Sequence, residues 1–342
     1  MKVLVTGHRG YIGVEMVPAL LAAGHDVVGL DIGLFDGCDF MSPPDDVPNI
    51  DVDLRDVTPA HLAGVDAVIH LAALSNDPLG DLAPDITYDI NLEASVRLAQ
   101  SAKEAGVHRF LFSSSCSLYG AGGEAFLDEN AAFHPVTPYG ESKVRVEQEL
   151  TRLASRSFSP VYLRNTTAYG VSRRLRADVV VNNLVGHAYT TGQVLLQSDG
   201  TPWRPLVHIK DIATAFLACL AAPAEAIHDR AFNVGRTSEN FQIRDVANMV
   251  AEVVPNCKVA FAPGASPDLR NYRVDFRRIE TELPGYEPRW TLRQGIEELL
   301  AAYRKAGLTK EQFLGPRYYR LRVVRDLQAR GVVDARLRRT RP

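Results

Sequence analysis

A group of hydroxyl side chains and one lysine could together move a proton at neutral pH. Ser113–Ser117 follows an apolar run, Phe110–Phe112, and carries four serines around one cysteine. Tyr139 and Lys143 come later, four residues apart at the start of a predicted helix. Residues at this spacing share one helix face, so a lysine cation would stabilise the phenolate of the tyrosine. Such a phenolate could take the proton of a substrate hydroxyl.

The first half of the chain alternates apolar runs with helix-like segments, and these elements must position the hydroxyl cluster. Continuous apolar strands that alternate with helices predict an α/β fold of the Rossmann type, with a doubly wound parallel sheet. The sequence predicts strands at 2–6, 27–30, 50–52, 65–71, 109–113, 161–163 and 231–234, and helices ending at 23 or spanning 91–105, 141–154 and 211–220.

A glycine-rich loop lies between the first strand and the first helix. Gly7, Gly10 and Gly13 let backbone N–H groups approach a pyrophosphate at the helix N-terminus. Asp31 ends the second strand, where it would accept hydrogen bonds from the adenosine ribose and repel a 2′-phosphate. The alternative is a tight strand–helix turn beside a surface aspartate. The full context favours a dinucleotide site that takes NAD rather than NADP.

Composition excludes several other classes of protein. The net charge of −3 gives no indication of nucleic-acid binding. The cysteines are too far apart for a zinc site or a disulfide framework, so we expect no metal and a reducing, cytoplasmic location. We also predict no signal peptide and no transmembrane helix. The four cysteines are Cys38, Cys116, Cys219 and Cys257.

The glycine spacing G-x-x-G-x-x-G, with Thr6 before it and Tyr139-x-x-x-Lys143 later, resembles the extended short-chain dehydrogenase/reductase family. Within that family the chain is most similar to the nucleotide-sugar epimerases and dehydratases. The resemblance runs from Lys2 to about Tyr303 and leaves the C-terminal tail uncovered.

The resemblance implies NAD as cofactor, a nucleotide-diphosphate sugar as substrate, and roles for individual residues. Ser115, Tyr139 and Lys143 match the catalytic residues. Matches to cofactor-binding positions are Gly7, Gly10, Tyr11, Ile12, Gly13, Asp31, Asp53, Leu54, Leu71, Ala72, Ala73, Asn91, Tyr139 and Lys143. Matches near the substrate are Ser75, Ser115, Cys116, Ser117, Asn165, Asn183, Leu184, Arg204, Arg270 and Arg273, the last two within a segment, 268–275, expected over the nucleotide.

The two residues after Ser115 discriminate among the reactions of the family. The 4,6-dehydratases carry Asp-Glu at the positions of Cys116 and Ser117, and the decarboxylases carry Glu at the second position. This chain has neither acid and therefore resembles the 4-epimerases. A 4-ketoreductase or a dehydratase is the first alternative. An NAD(H)-sensing regulatory protein is the second, and the intact Ser115, Tyr139 and Lys143 argue against it.

Two features remain open at this point. Cys116 could act as a base if its thiolate were stabilised, although a small buried residue beside the strand end is favoured. Arginines at 173, 174 and 176 could bind phosphates or form a solvated loop.

The resemblance and the element order predict two lobes and a tail. We expect an NAD-binding domain at 1–165 plus 207–235 and a discontinuous substrate lobe at 166–206 plus 236–315. Residues 316–342 hold nine arginines. Leu321, Val324 and Leu327 recur there at helical spacing, which predicts an amphipathic helix packed on its own subunit or on a partner, with nucleic-acid binding less favoured. Family analogy implies a homodimer through the helices that begin at Asn91 and Glu141.

Overall fold

The computed structural model describes residues 1–75, 84–120, 125–266 and 270–340. Its strands are β1 (Lys2–Thr6), β2 (Asp26–Leu30), β3 (Asn49–Ile50), β4 (Ala67–His70), β5 (Arg109–Ser115), β6 (Phe126–Leu127), β7 (Ser159–Asn165), β8 (Thr167–Tyr169), β9 (Gln193–Ser198), β10 (Trp203–His208), β11 (Arg230–Val234), β12 (Asn240–Gln242), β13 (Lys258–Ser266) and β14 (Arg273–Val274).

The α-helices follow the predicted alternation in the first half and dominate the second. They are α1 (Gly13–Ala22), α2 (Pro84–Tyr88), α3 (Ala94–Glu104), α4 (Pro138–Leu153), α5 (Val180–Thr191), α6 (Ile209–Ala221), α7 (Ala224–Ile227), α8 (Ile243–Val253), α9 (Arg277–Glu282), α10 (Leu292–Ala306), α11 (Lys310–Leu314) and α12 (Arg320–Ala329). None of the described helices is long and apolar enough to cross a lipid bilayer.

Seven parallel strands form the central sheet in the order β11-β7-β5-β4-β1-β2-β3. Strand β1 pairs with β2 on one side and with β4 on the other, so the direction in which the chain adds strands reverses between β1 and β4. In a doubly wound sheet this reversal opens a crevice at the carboxyl ends of the strands, where ligands bind. The predicted Rossmann-type fold is therefore confirmed, and the hydroxyl cluster at the end of β5 lies at the ligand-binding edge.

Helices cover both faces of this sheet because successive side chains of a strand point to opposite sides. Val3 and Val5 pack in one apolar cluster with residues of α1 and α6. Leu4, between them, packs in a second cluster with residues of α3 and α4. Burial on both faces explains why the strands are continuous apolar runs rather than alternating ones.

Of the element boundaries that differ from the sequence prediction, three bear on the site. Strand β5 continues to Ser115, because its pairing with β7 extends to Ser115 opposite Asn165. Helix α4 begins at Pro138 rather than at residue 141, since the Thr137 hydroxyl accepts a hydrogen bond from Gly140 N and caps it. Tyr139 therefore lies inside the first helical turn. Asn91 lies in a π-helical turn, Asp89–Glu93, ahead of α3.

The rest of the chain forms smaller sheets and a helical layer. Strands β12, β10 and β8 form one sheet, β13 pairs with β9, and β14 pairs with β6. Helices α5, α8 and α10 share an apolar cluster that includes Val185, Val250 and Leu299. The division into an NAD-binding domain and a discontinuous substrate lobe stays a prediction.

Residues 316–340, here called the C-terminal arm, fold back on the same chain. The arm contains helix α12, as its apolar spacing predicted. Val324, Val333 and Leu337 of the arm are buried in a small cluster with Leu74, while Leu321 and Leu327 are partly buried against it. The amphipathic helix of the tail thus packs on its own subunit, one of the two arrangements expected.

Candidate active site

A cavity of about 900 Å³ opens at the carboxyl edge of the central sheet. It extends from the glycine loop past the ends of β4 and β5 to α5 and β10. Residues with predicted cofactor or substrate roles form much of its lining: Gly7, Gly10, Tyr11, Ile12, Gly13, Asp31, Asp53, Leu54, Leu71, Ala72, Ala73, Ser75, Ser115, Ser117, Tyr139, Lys143, Asn165, Asn183, Leu184, Arg204 and Arg270.

The glycine loop has no room for side chains at its first and last glycine. Gly7 has a φ of +71°, and a Cβ there would lie 2.8 Å from Ala72 N. A Cβ on Gly13 would lie 2.3 Å from Gly7 O. Glycine is therefore required for the tight turn into α1, and the residues at the N-terminus of this helix line the cavity. This arrangement fits the pyrophosphate of a dinucleotide.

Asp31 is held in place at the carboxyl end of β2. Its carboxylate accepts hydrogen bonds from Gly33 N at 2.7 Å and Arg9 N at 3.1 Å. Burial raises the pKa of this carboxyl, and the two backbone donors oppose that shift. A carboxylate has further acceptor sites, so ribose hydroxyls can still donate to it. The geometry fits the adenosine ribose of NAD.

Asp53 begins the next wall of the cavity, at the adenosine end. The carboxylate of Asp53 accepts two hydrogen bonds from the buried Arg55 guanidinium, at 2.8 and 2.6 Å. Arg55 also contacts Asp89 at 3.2 Å and donates to the backbone oxygen of Arg336 at 2.8 Å. The adenosine end is thereby connected to the C-terminal arm.

Lys143 lies between the end of β5 and the ring of Tyr139. Its Nζ donates to Ser113 O at 2.7 Å and lies 5.6 Å from the centre of the Tyr139 ring. The side chain is buried, and this burial lowers the pKa of Lys143 to about 7. The pairing brings the predicted base and the predicted cation together through one turn of α4.

Ser115 lies at the last position of β5, opposite Asn165 of β7. Its Oγ accepts from Ser117 N at 3.1 Å and donates to Ser117 Oγ at 3.0 Å. Asn165 Nδ2 donates to Ser113 Oγ at 2.9 Å. The other amide atom, Asn165 Oδ1, is buried and has no hydrogen-bond partner among the described residues. This oxygen is an acceptor that a ligand hydroxyl or amide in the cavity could use.

Three predicted site residues do not line the cavity, each for a structural reason. Asn91 is buried and its amide bonds to Leu74 N and O, so it fixes the loop after β4 instead. Cys116 is buried with its Sγ donating to a backbone oxygen at 3.1 Å, and burial raises the pKa of the thiol well above its usual value. Arg273 stacks on Phe126 and Trp203, with its guanidinium 4.6 and 4.9 Å from the ring centres.

The structure places only one of the three arginines whose role the sequence left open, Arg176, in the cavity lining. Arg173 and Arg174 form ion pairs with acidic residues outside the cavity, including Asp45 and Asp36 respectively. Arg176 lines the cavity, pairs with Asp178 at 2.8 Å and donates to Ser75 Oγ at 3.2 Å. Arg164, which precedes the predicted substrate residue Asn165, forms a buried pair with Glu147 at 2.7 Å.

The lining residues that were not predicted include Tyr272, Tyr319, Arg320 and Leu337. Tyr272 hydrogen-bonds to the Ser117 side chain and lies in the segment 268–275 expected over the nucleotide, although residues 268 and 269 lie outside the described part of the chain. Tyr319 accepts a hydrogen bond from Asn183 at 3.4 Å. Arg320 and Leu337, like Tyr319, lie in the arm. The family resemblance does not cover the arm, and the amphipathic spacing there predicts a helix but no site residue.

Comparisons with known proteins agree with this geometry. A UDP-glucose 4-epimerase of Mycolicibacterium smegmatis is 28% identical over 315 residues, which cover 89% of this chain and 99% of that protein. UDP-glucuronic acid decarboxylase 4 of Arabidopsis thaliana is 26% identical over 315 residues, covering 89% of this chain and 69% of the decarboxylase. The solved structure of MoeE5 with UDP-glucuronic acid and NAD superposes with a TM-score of 0.78 at 27% identity, covering 90% of this chain and all of that one.

The family model for the NAD dependent epimerase/dehydratase family matches residues 3–235. This range includes the glycine loop, Asp31 and the Ser115, Tyr139 and Lys143 cluster, all of which line the cavity. The chain therefore belongs to the NAD-dependent epimerase/dehydratase family, and its cofactor is NAD.

Proposed function

We propose that this protein is a nucleotide-sugar 4-epimerase. The observation that carries the proposal is the absence of an acid next to Ser115, where Cys116 and Ser117 stand. Elimination of water or loss of carbon dioxide in this family needs an acid or base at these positions. Reversible oxidation at a single carbon needs none beyond the tyrosine and the serine.

The described carboxylates that line the cavity do not supply the missing acid. Asp31 and Asp53 follow β2 and β3, on the adenosine side of the crevice, and are held by backbone and arginine donors. Asp178 is paired with Arg176, and the arginine keeps the pKa of this carboxyl low. A carboxylate held in its charged form by an arginine is a poor proton donor at neutral pH.

The chain's own residues account for the proton transfers of an epimerase. Tyr139 takes the proton from the C4 hydroxyl, with the Lys143 cation stabilising its phenolate. The Ser115 hydroxyl lies within the same cluster and can bridge the sugar oxygen and the phenol. When bound, NAD would supply the hydride acceptor and donor for the sugar carbon. Tyr139 then gives its proton back, so the catalytic groups end in their starting state.

The substrate end of the cavity suits a diphosphate. Arg204 and Arg270 line it together with Asn183, and Arg204 is buried with its guanidinium 6.0 Å from the Tyr272 ring centre. A buried guanidinium is stabilised by an anionic ligand that can accept its hydrogen bonds in pairs. Since relatives are named for UDP-glucose and UDP-glucuronic acid, UDP-hexoses are the first candidates.

We also infer a homodimer. Helices α3 and α4 pack side by side on one face of the central sheet, which is the surface that family analogy assigns to a four-helix interface. Light scattering across a concentration series measures the mass. A monomer at micromolar concentration would contradict the inference.

The test of the proposed function is incubation with UDP-, dTDP- and GDP-hexoses, followed by chromatography of the products. We expect one sugar nucleotide to form its C4 epimer without added NADH, and the heat-denatured protein to release NAD. Dependence on external NADH would identify a ketoreductase, and a product lighter by one water would identify a dehydratase. Binding of NAD(H) without conversion of any sugar would favour a regulatory protein.

A further inference from the structure

Three residues of the C-terminal arm reach the cavity. Tyr319, Arg320 and Leu337 all line it, although most of the arm around them is exposed. Tyr319 contacts Asn183 at the substrate end, while Leu337 lies at the adenosine end, next to the segment that Arg55 connects to Asp53. The arm therefore runs along the length of the site.

Leu337 is held in a backbone conformation that leucine disfavours. Its φ is +59°, in the left-handed region, yet its side chain is only 3% exposed. It packs in a cluster with Leu34 and Phe35, which follow Asp31 in the chain. Non-glycine residues keep such strain when surrounding contacts over-determine it, and they concentrate at functional sites. The apolar insertion of Leu337 beside the ribose-binding acid is thus a specific feature of the arm.

Ion pairs connect three arginines at this end of the arm to three aspartates beside the adenosine end of the cavity. Three aspartates flank the Asp53–Leu54 segment in space and each receives one arginine of the arm. The pairs are Arg336 with Asp89 at 2.8 Å, Arg338 with Asp56 at 2.5 Å, and Arg339 with Asp51 at 3.0 Å. These side chains are mostly exposed, so the fastening is reversible and is weakened by salt.

Arg320 places a buried positive charge in the middle of the arm. Its guanidinium lies 4.0 Å from the Phe35 ring centre, and its Nη2 donates to Arg174 O at 3.0 Å. Its Nη1 is buried with no hydrogen-bond partner among the described residues. Burial and the neighbouring Arg176 lower the pKa of Arg320 to about 9. An anionic group in the cavity would accept a hydrogen bond from Nη1 and offset the buried positive charge of the guanidinium.

We propose that the C-terminal arm completes the cofactor site: Leu337 packs against the adenosine end of NAD, Arg320 faces its diphosphate, and NAD leaves only after the arm lifts. The matched family model covers residues 3–235, so the arm lies outside the matched range. The proposal requires NAD binding and is independent of which sugar reaction the protein catalyses.

The experiment measures NAD release from the loaded protein. Protein carrying NAD is mixed with an excess of a fluorescent NAD analogue, with no sugar present, and the exchange rate is followed. We expect the combined variant Arg336→Ala, Arg338→Ala and Arg339→Ala to release NAD about tenfold faster than wild type, since three exposed ion pairs are lost. Arg330→Ala is the matched control, because Arg330 pairs with Asp326 inside the arm's own helix.

A second variant tests the apolar contact separately from the charges. Leu337→Ala should also release NAD faster by about tenfold, in keeping with loss of a buried leucine contact. Added salt should speed release from wild type more than from the triple-arginine variant. Thermal unfolding of the NAD-free variants checks that each is folded. A wild-type release rate in either the triple variant or Leu337→Ala overturns the proposal, whatever sugar is converted.

Discussion

Lys143 Nζ lies 5.6 Å from the centre of the Tyr139 ring and is fixed there by a 2.7 Å hydrogen bond to Ser113 O. The hydrogen bond joins helix α4 to strand β5, so the backbone of the sheet positions the cation that the tyrosine needs. Because this position is buried, the pKa of Lys143 falls to about 7. Placing the cation there costs folding free energy, which is a common compromise at active sites.

This cost predicts a specific pH dependence of stability. Below pH 7 both the folded and the unfolded protein bind the Lys143 proton, and the cost is fully present. Between pH 7 and 10.5 only the unfolded state keeps the proton, so the free energy of unfolding rises with pH. From pH 6 to pH 9 the NAD-free wild type should gain about 2 kcal/mol relative to Lys143→Met, where this residue cannot titrate. Urea unfolding at both pH values measures the difference, and parallel behaviour would contradict the assigned pKa.

Tyr139 is predicted to be the residue that exchanges protons with the sugar. Replacing it by phenylalanine should lower kcat by about a thousandfold or more, since a positioned acid–base group contributes this much. NAD affinity, measured on stripped protein by calorimetry, should change little. Tyr88→Phe is the control. The Tyr88 hydroxyl binds Glu141, which lies on the same helix as Tyr139, and Tyr88 does not line the cavity. Activity in Tyr139→Phe comparable to that of the control would remove Tyr139 from the mechanism.

Asp31 should decide both the affinity for NAD and the rejection of NADP. Asp31→Ala removes the acceptor for the ribose hydroxyls, and we expect NAD to bind about 10–100-fold more weakly, as for a lost charge-assisted hydrogen bond. The ratio of NADP to NAD affinity should rise, because the negative charge that repels a 2′-phosphate is gone. Calorimetric titration with both dinucleotides measures the two effects. An unchanged NAD affinity would show that the ribose lies elsewhere.

The predicted residues that line the cavity include those whose positions are fixed by local geometry. The glycine loop, Asp31 and the Tyr139–Lys143 pair depend on a turn, a strand end and one helical turn, and all line the cavity. The place of Ser115 in the cavity also follows from its position at the carboxyl end of a strand, because parallel strands end at the same edge of the sheet. Here local pattern and tertiary position agree.

For the predicted residues that do not line the cavity, the deciding factor is the direction in which each side chain turns within a packed segment. Cys116 follows Ser115 but points into the core, whereas Ser117 lines the cavity. Arg273 lies close in sequence to Arg270, yet only Arg270 reaches the cavity. Spacing along the chain does not determine this choice, which is made by the aromatic rings that hold Arg273. The contacts of the arm are further still from prediction, since they join residues almost three hundred positions apart, as between Arg339 and Asp51.

Arg204, which lines the cavity, and Arg273, which does not, allow a matched test of the diphosphate assignment. Arg204→Met keeps the apolar stem over Tyr272 but removes the charge, and should raise KM for the sugar nucleotide about 10–100-fold with a smaller effect on kcat. Arg273→Met removes a charge from the same neighbourhood, where the side chain stacks on Phe126 and Trp203 outside the cavity. Its KM should stay within about threefold of wild type, because it lacks direct access to the ligand. Steady-state kinetics of both variants, with NAD content checked first, measure the contrast. Equal effects on KM would mean that the diphosphate is bound through the general positive charge of this region rather than by Arg204 itself.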